Sequence, residues 1–133
     1  MNDNVSNSRG DDVTTLLIAD DDGDILELVH RGLSASGYEI LLARDGTTAL
    51  ATAREQKPAL VLLDVAMPSP DGYEVTSALK NDPATKDIVV ILFTARSEAS
   101  DVEKGYAAGA DDYIIKPFTL NTLQSRVRAA LDK

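Results

Sequence analysis

The sequence predicts an α/β fold of five βα units, doubly wound around a parallel five-stranded sheet. Three observations lead there. From Thr14 onward, short apolar segments alternate with segments of helical periodicity. Most of the apolar segments are near-continuous rather than alternating, as strands covered on both faces require. Gly37, Pro58, Pro83 and Gly109 punctuate the helical segments, where a chain leaving a helix turns back toward the sheet. Strands and helices alternating at this pitch form βαβ units with right-handed crossovers.

Taken in order, Met1–Asp12 is polar and aperiodic and reads as a flexible tail before a single domain spanning residues 13–133. Thr15–Ala19 is the first strand. Ile25, Leu28, Val29 and Leu33 recur at i, i+3, i+4 and i+8, one face of a first helix. Glu39–Ala43 is a more mixed second strand, and Ala49, Leu50 and Ala53 mark the helix after it. Leu60–Leu63 is the third strand, followed by a short helix marked by Val75, Ala78 and Leu79. Ile88–Phe93 is the fourth strand, with Val102 and Tyr106 marking its helix. Asp112–Ile115, again mixed, is the fifth, and Leu120, Leu123, Val127 and Leu131 stripe the last helix.

Composition narrows the function classes. A chain of 133 residues is one domain by length. It has no cysteine, which rules out disulfides, thiolate metal sites and cysteine nucleophiles. No apolar run approaches the roughly 20 residues that span a bilayer, and the first residues lack a signal-peptide h-region. The expected location is the cytoplasm, with no membrane association. The net charge of −9 argues against direct nucleic-acid binding, which needs a basic stripe, but suits cations.

In an open parallel sheet, ligands bind beyond the carboxyl ends of the strands. Asp20, Asp21 and Asp22 follow the first strand, Asp64 the third, Thr94 and Ala95 the fourth, and Lys116 with Pro117 the fifth. Gathered carboxylates are costly unless protonated or neutralised by a cation. Oxygen-only ligands with room for water suit Mg²⁺, with Mn²⁺ as a substitute. An ammonium and a hydroxyl opposite such an ion can hold phosphoryl oxygens, and phosphoryl transfer needs this positioning more than covalent chemistry from the protein. An aspartate can itself accept the group as an aspartyl phosphate.

The segments LLIADDD, LVLLDVAMPSPDGYEV, VVILFTA and GADDYIIKPF, in this order and spacing, resemble the receiver domain of two-component response regulators of the chemotaxis-regulator type, from about Thr14 to Leu131. The resemblance implies a flavodoxin-like strand order of 2-1-3-4-5. It implies Asp64 as phosphoacceptor, Asp21 as a direct Mg²⁺ ligand, Asp20 acting through water, and the backbone carbonyl of Ala66 as a further ligand. Lys116, Thr94 and Ala95 would bind the phosphoryl group, and Thr94 with Tyr113 would form the switch. The Lys116–Pro117 bond would be cis, and Met67-Pro68 and Gly72 match the loop after the phosphoacceptor strand. Ala66 and Arg96 stand where the family tunes phosphate lifetime. The implied partners are a histidine kinase or histidine phosphotransfer protein upstream, and a downstream protein or attached output domain reached through the surface of the fourth helix, fifth strand and fifth helix. Dimerisation on phosphorylation is left open, as is whether the chain stands alone or is part of a longer protein. Such a protein is not an enzyme beyond its own phosphorylation and dephosphorylation.

Plainer roles suit several residues. Asp22 and Asp24 fit the N-terminus of the first helix as cap and dipole partner. His30, the only histidine, reads as a solvated bystander. Asp111 and Asp112 read as loop and strand-edge residues, and Arg126, Arg128 and Lys133 as the solvated face of the last helix. A competing reading comes from Ala19-Asp20-Asp21-Asp22-Gly23, which is similar to the start of haloacid-dehalogenase-type phosphohydrolases, with Asp20 as nucleophile and Asp22 as acid/base. Asp24 in place of the expected Thr, the short chain and the unexplained Asp64 count against it. A third reading is a docking module that no longer uses phosphate, which the full set of site residues disfavours.

Overall fold

The computed structural model describes residues 13–132. The expected tail, Met1–Asp12, and Lys133 lie outside the described residues. Five parallel strands alternate with five helices: β1 (Thr15–Ala19), α1 (Gly23–Ser34), β2 (Glu39–Ala43), α2 (Gly46–Gln56), β3 (Leu60–Leu63), α3 (Gly72–Lys80), β4 (Val89–Thr94), α4 (Ala99–Ala107), β5 (Asp112–Ile115) and α5 (Leu120–Leu131). The sheet order is β2-β1-β3-β4-β5, as expected. Leu17 pairs with Leu41 on one side and Val61 on the other, so β1 is an interior strand next to the central β3.

Alternation along each strand divides the core into two layers. Leu17, Val61, Leu63, Val90 and Leu92 face α2, α3 and α4, where they meet Ala49, Ala53, Val75 and Leu79. Leu16, Ile18, Leu60, Leu62, Ile91 and Phe93 face α1 and α5, where they meet Leu26, Val29, Leu33, Leu123 and Val127. Each fully buried aliphatic side chain contributes roughly 1.5–3 kcal/mol of transfer free energy. Both faces of the inner strands are covered, and that is why their sequences run apolar without a break.

The helix starts are set by side-chain caps. Asp22 accepts from the Asp24 and Ile25 amides at α1, Asp45 from Thr48 at α2, and Thr119 from Thr122 at α5. At α3, Asp71 and Glu74 form a reciprocal capping box. Gly37 and Gly109 adopt φ of 94° and 110°, the left-handed conformation glycine tolerates best.

Two helical stripes differ from the sequence reading. Leu28 is exposed, and α1 instead buries Leu26, Val29 and Leu33. Its neighbours Gly32 and Leu120 explain the rotation: a Cβ on Gly32 would lie 2.8 Å from a Leu120 methyl, so α1 turns its glycine toward α5. Tyr106 is also exposed, because α4 faces β5 through Val102 and Gly105. The fourth strand begins at Val89 rather than Ile88 and runs on through Thr94. Among the described residues, no helix is long and apolar enough to cross a membrane.

Leu26→Ala should lower the unfolding free energy by about 2–5 kcal/mol, whereas Leu28→Ala should change it by no more than about 0.5 kcal/mol. Urea denaturation of both variants measures the difference. The opposite order would restore the original α1 stripe.

Candidate functional site

From β1 the chain goes to β2 on one side of the sheet, and β3 then pairs on the other. The crevice beyond the carboxyl ends of β1 and β3 is therefore the topological switch point. The residues just past the strands are held by the sheet itself. The Asp20 amide donates to Ala43 O at 3.1 Å, the Asp64 amide to Ala19 O at 2.9 Å, and the Lys116 amide to Thr94 O at 2.8 Å. Each extends the ladder one residue beyond its strand, which fixes where the side chain departs.

These departures converge. Asp20 is fully buried, Asp64 is 5% exposed and Asp21 is exposed. One carboxylate oxygen from each lies within 4.8 Å of the others. The Asp22 amide donates to Asp20 Oδ1 at 2.9 Å, and the Ala66 amide to Asp64 Oδ1 at 3.2 Å, so each buried carboxylate is oriented by the turn that follows it. Lys116 Nζ lies 2.8 Å from Asp20 Oδ2 and 3.6 Å from Asp64 Oδ2.

Burial pushes the Asp64 carboxyl above its ordinary range. The Ala66 amide and the Lys116 charge oppose the shift, the Asp20 charge adds to it, and the net direction is upward. One ammonium does not balance three carboxylates; a proton on Asp64 would lessen the excess, and a divalent cation would neutralise it. The donor set is all oxygen, partly buried and open on the Asp21 side, which fits a hard divalent ion that keeps some of its water. Asp20, Asp21 and Asp64 would hold it.

The other expected residues fall around this centre. Thr94 is fully buried at the end of β4, with Oγ1 accepting from the Arg96 amide at 3.3 Å. Ala66, Ala95 and Arg96 are exposed at the rim. Gly72 has no room for a side chain: a Cβ there would lie 2.5 Å from Asp64 O and 2.7 Å from Val65 Cα. The Lys116–Pro117 bond is cis, as expected, and so is Ser69–Pro70, which the sequence reading did not include. Tyr113 already points inward, 6% exposed, with its hydroxyl donating to Arg96 O at 2.9 Å.

Asp22 is spent on capping α1, and its carboxylate is not among the converging oxygens. His30 is half-buried on α1 rather than fully solvated. Arg128 is exposed in the last turn of α5. Arg126 is not merely solvated: its guanidinium grips the Asp112 carboxylate, with Nε 2.7 Å from Oδ2, and ties α5 to β5. Burial works to raise the Asp112 carboxyl, but Arg126 and the Tyr113 amide outweigh it and hold the group below its ordinary range. Asp111 accepts from Lys80 Nζ at 3.0 Å and from the Val90 amide at 2.8 Å, so it too joins elements rather than ending a loop.

Two contacts had no signal in the sequence. Lys116 Nζ stands 4.8 Å from the centre of the Phe93 ring, within cation–π range. Arg44, at the end of β2, donates to the Asp21 carbonyl at 3.3 Å. Both join residues more than 20 positions apart, and neither residue type suggests the pairing.

A family model, the response regulator receiver domain, matches residues 16–128. The chain belongs to that family. The transcriptional regulatory protein PrrA of Mycobacterium tuberculosis is 44% identical over 116 residues, covering 87% of this chain and 49% of PrrA. The receiver therefore spans about half the length of the curated relatives it matches. Among solved structures, a response regulator of Chloroflexus aurantiacus aligns with a TM-score of 0.87 at 35% identity, covering 91% of this chain and 99% of that one. The receiver domain of the sensor histidine kinase PA1611 of Pseudomonas aeruginosa, solved with magnesium in its active-site cleft, aligns with a TM-score of 0.84 at 26% identity, with the same coverages. This chain is thus a two-component receiver domain, of the doubly wound class expected from its sequence.

A carboxylate whose folded pKa is raised destabilises the native state at pH values above that pKa, and the penalty is relieved as pH falls through it. In metal-free buffer, Asp64→Asn should therefore raise Tm at pH 7, and the gain should shrink toward acid pH. Thermal melts in EDTA across pH 4–8 test this; a Tm lowered at pH 7 would contradict it.

Proposed function

We propose that this receiver is a phosphorylation switch in which Asp64 accepts a phosphoryl group from a phosphohistidine, supported by Mg²⁺. One observation carries the reading: the Asp64 carboxylate is buried at the topological switch point beside the Asp20 carboxylate, with the Lys116 ammonium within 4 Å of both. An Asp64 oxygen attacks phosphorus in line, the phosphorus–nitrogen bond of the donor breaks, and the imidazole leaves with its electron pair and takes up a proton. Lys116, already 3.6 Å from Asp64 Oδ2, neutralises an oxygen of the transferred group. The Thr94 hydroxyl, released from the Arg96 amide, donates to another, and exposed Ala95 leaves its backbone free to do the same. A divalent cation bound by Asp20, Asp21, Asp64 and the Ala66 carbonyl supplies charge neutralisation for the reaction. The magnesium in the PA1611 receiver supports that choice of ion.

The donor is a histidine kinase or histidine phosphotransfer protein, and the setting is cytoplasmic. The protein turns over nothing beyond its own phosphate. The curated relatives include transcriptional regulators such as PrrA, and the Synechocystis protein RpaA is described as DNA-binding. By that analogy the output is an attached domain or a separate protein responding to the α4–β5–α5 surface, rather than nucleic acid bound by this domain. The phosphohydrolase reading, with Asp20 as nucleophile and Asp22 as acid/base, is disfavoured because Asp22 caps α1 and Lys116 holds Asp20.

Incubation with acetyl phosphate and Mg²⁺ should add one base-labile phosphoryl group, located on Asp64 by peptide mapping. EDTA and Asp64→Asn should each abolish it, and Lys116→Ala should slow it by about 10²-fold or more, on the scale of losing one charge-stabilising donor. Phosphate on Asp20 with continuous release would overturn the proposal in favour of the phosphatase. Once Asp64 is modified, the exposed rim residues set how water reaches the acyl phosphate. Ala66→Asn and Arg96→Ala should therefore change its half-life, measured by loss of the phosphorylated mass. Half-lives equal to the parent's in both would remove these residues from that role.

A further inference from the structure

The segment joining β4 to α4 has few side-chain anchors: the Arg96 amide donates to Thr94 Oγ1 at 3.3 Å and the Glu98 amide to Asp101 Oδ2 at 3.3 Å. Residues 95–100 are all exposed, so burial supplies little to hold them. Two tyrosine hydroxyls reach this stretch from different elements. Tyr113 of β5 donates to Arg96 O at 2.9 Å, and Tyr73 of α3 donates to Asp101 O at 3.0 Å. Both rings are buried. The Tyr113 ring fills the space over Gly105, where an added Cβ would lie 2.8 Å from its Cδ2. Lys104 Nζ stands 4.8 Å from the centre of the Tyr73 ring, a second hold on α4. Burial, and next the neighbouring Tyr73 hydroxyl, push the Tyr113 phenol well above its ordinary value, so it stays a donor throughout the working pH range.

Tyr73 is also bound to the phosphoacceptor loop. It directly follows Gly72, whose amide donates to Val65 O at 3.1 Å and whose Cα leaves no space against Asp64 O. A rigid connection therefore runs from the backbone after Asp64, through the first turn of α3, to the first turn of α4.

We propose that Tyr73 is a positioning residue of the output face: with Tyr113 it forms a two-point hydroxyl clamp on residues 96–101 that sets how readily the β4–α4 segment rearranges. The clamp stands on the unmodified structure alone, while its effect on switching rests on the phosphorylation reading above. If the hydroxyl merely satisfied a buried polar group, its loss would not loosen α4 selectively.

Tyr73→Phe keeps the ring and its Lys104 contact and removes only the hydroxyl. Amide hydrogen exchange on the unmodified protein should quicken about 2- to 12-fold for residues 99–104, the range set by one net hydrogen bond, with β1 and β3 amides unchanged. Unchanged exchange at 99–104, or an equal rise across the sheet, overturns the clamp. Titration with beryllofluoride and Mg²⁺ then reads the switch, and the variant should bind more tightly by a similar factor. Faster local exchange with parental beryllofluoride affinity overturns the link to switching. Faster local exchange in the variant, with no beryllofluoride binding by the parent, upholds the clamp and counts against the Asp64 reading instead.

Discussion

The structure turns on an unbalanced charge. Asp20 and Asp64 are buried side by side with a single ammonium, Lys116, between them. Two carboxylates in a site largely shielded from water repel one another strongly unless a proton or cation intervenes. Backbone amides from the turns after each strand and the Lys116 charge reduce the cost without removing it. A divalent ion held by these carboxylates would relieve the repulsion that remains.

The sheet makes that arrangement possible. Parallel strands present all their carboxyl ends on one edge, so residues separated by as many as 96 positions meet there. The ladder continues one residue past β1, β3 and β5, giving each functional side chain a fixed point of departure. Helices on both faces exclude water from the strands, and the same exclusion raises the Asp64 pKa. Fold stability and site chemistry therefore share one cause. The α4 side of the fold is built differently. Around α4, where only Gly105 is buried, polar tethers from Tyr73 and Tyr113 supplement sparse apolar packing, while the Asp112–Arg126 pair ties β5 to α5.

Much of this was legible in the chain. Continuous apolar runs and punctuating Gly and Pro marked the βα units, and the residues after each run marked the site edge. Asp20, Asp21, Asp64, Thr94 and Lys116 stand where strand-end logic puts them. The helical faces were read less well. Leu28 and Tyr106 fit an apolar stripe by spacing, yet Gly32 and Gly105 supply the close packing that turns those helices. Spacing counts hydrophobic side chains and is blind to a contact made by the lack of one. Arg126 was misread for a related reason: its partner Asp112 lies in another element, and charge on a helix face does not reveal what it reaches.

By itself the sequence determined the class of fold, the edge of the sheet where chemistry belongs, and the residue types gathered there. These follow from local patterns, hydrophobic period and the chemistry of carboxylate, hydroxyl and ammonium, each of which is written in neighbouring residues. Only the tertiary structure decided how Asp64 is held, which ring lies under Lys116, and that Tyr73 and Tyr113 grip the same segment of chain. Those are distances between residues far apart in sequence, fixed by how the helices settle on the sheet, and no local pattern encodes them.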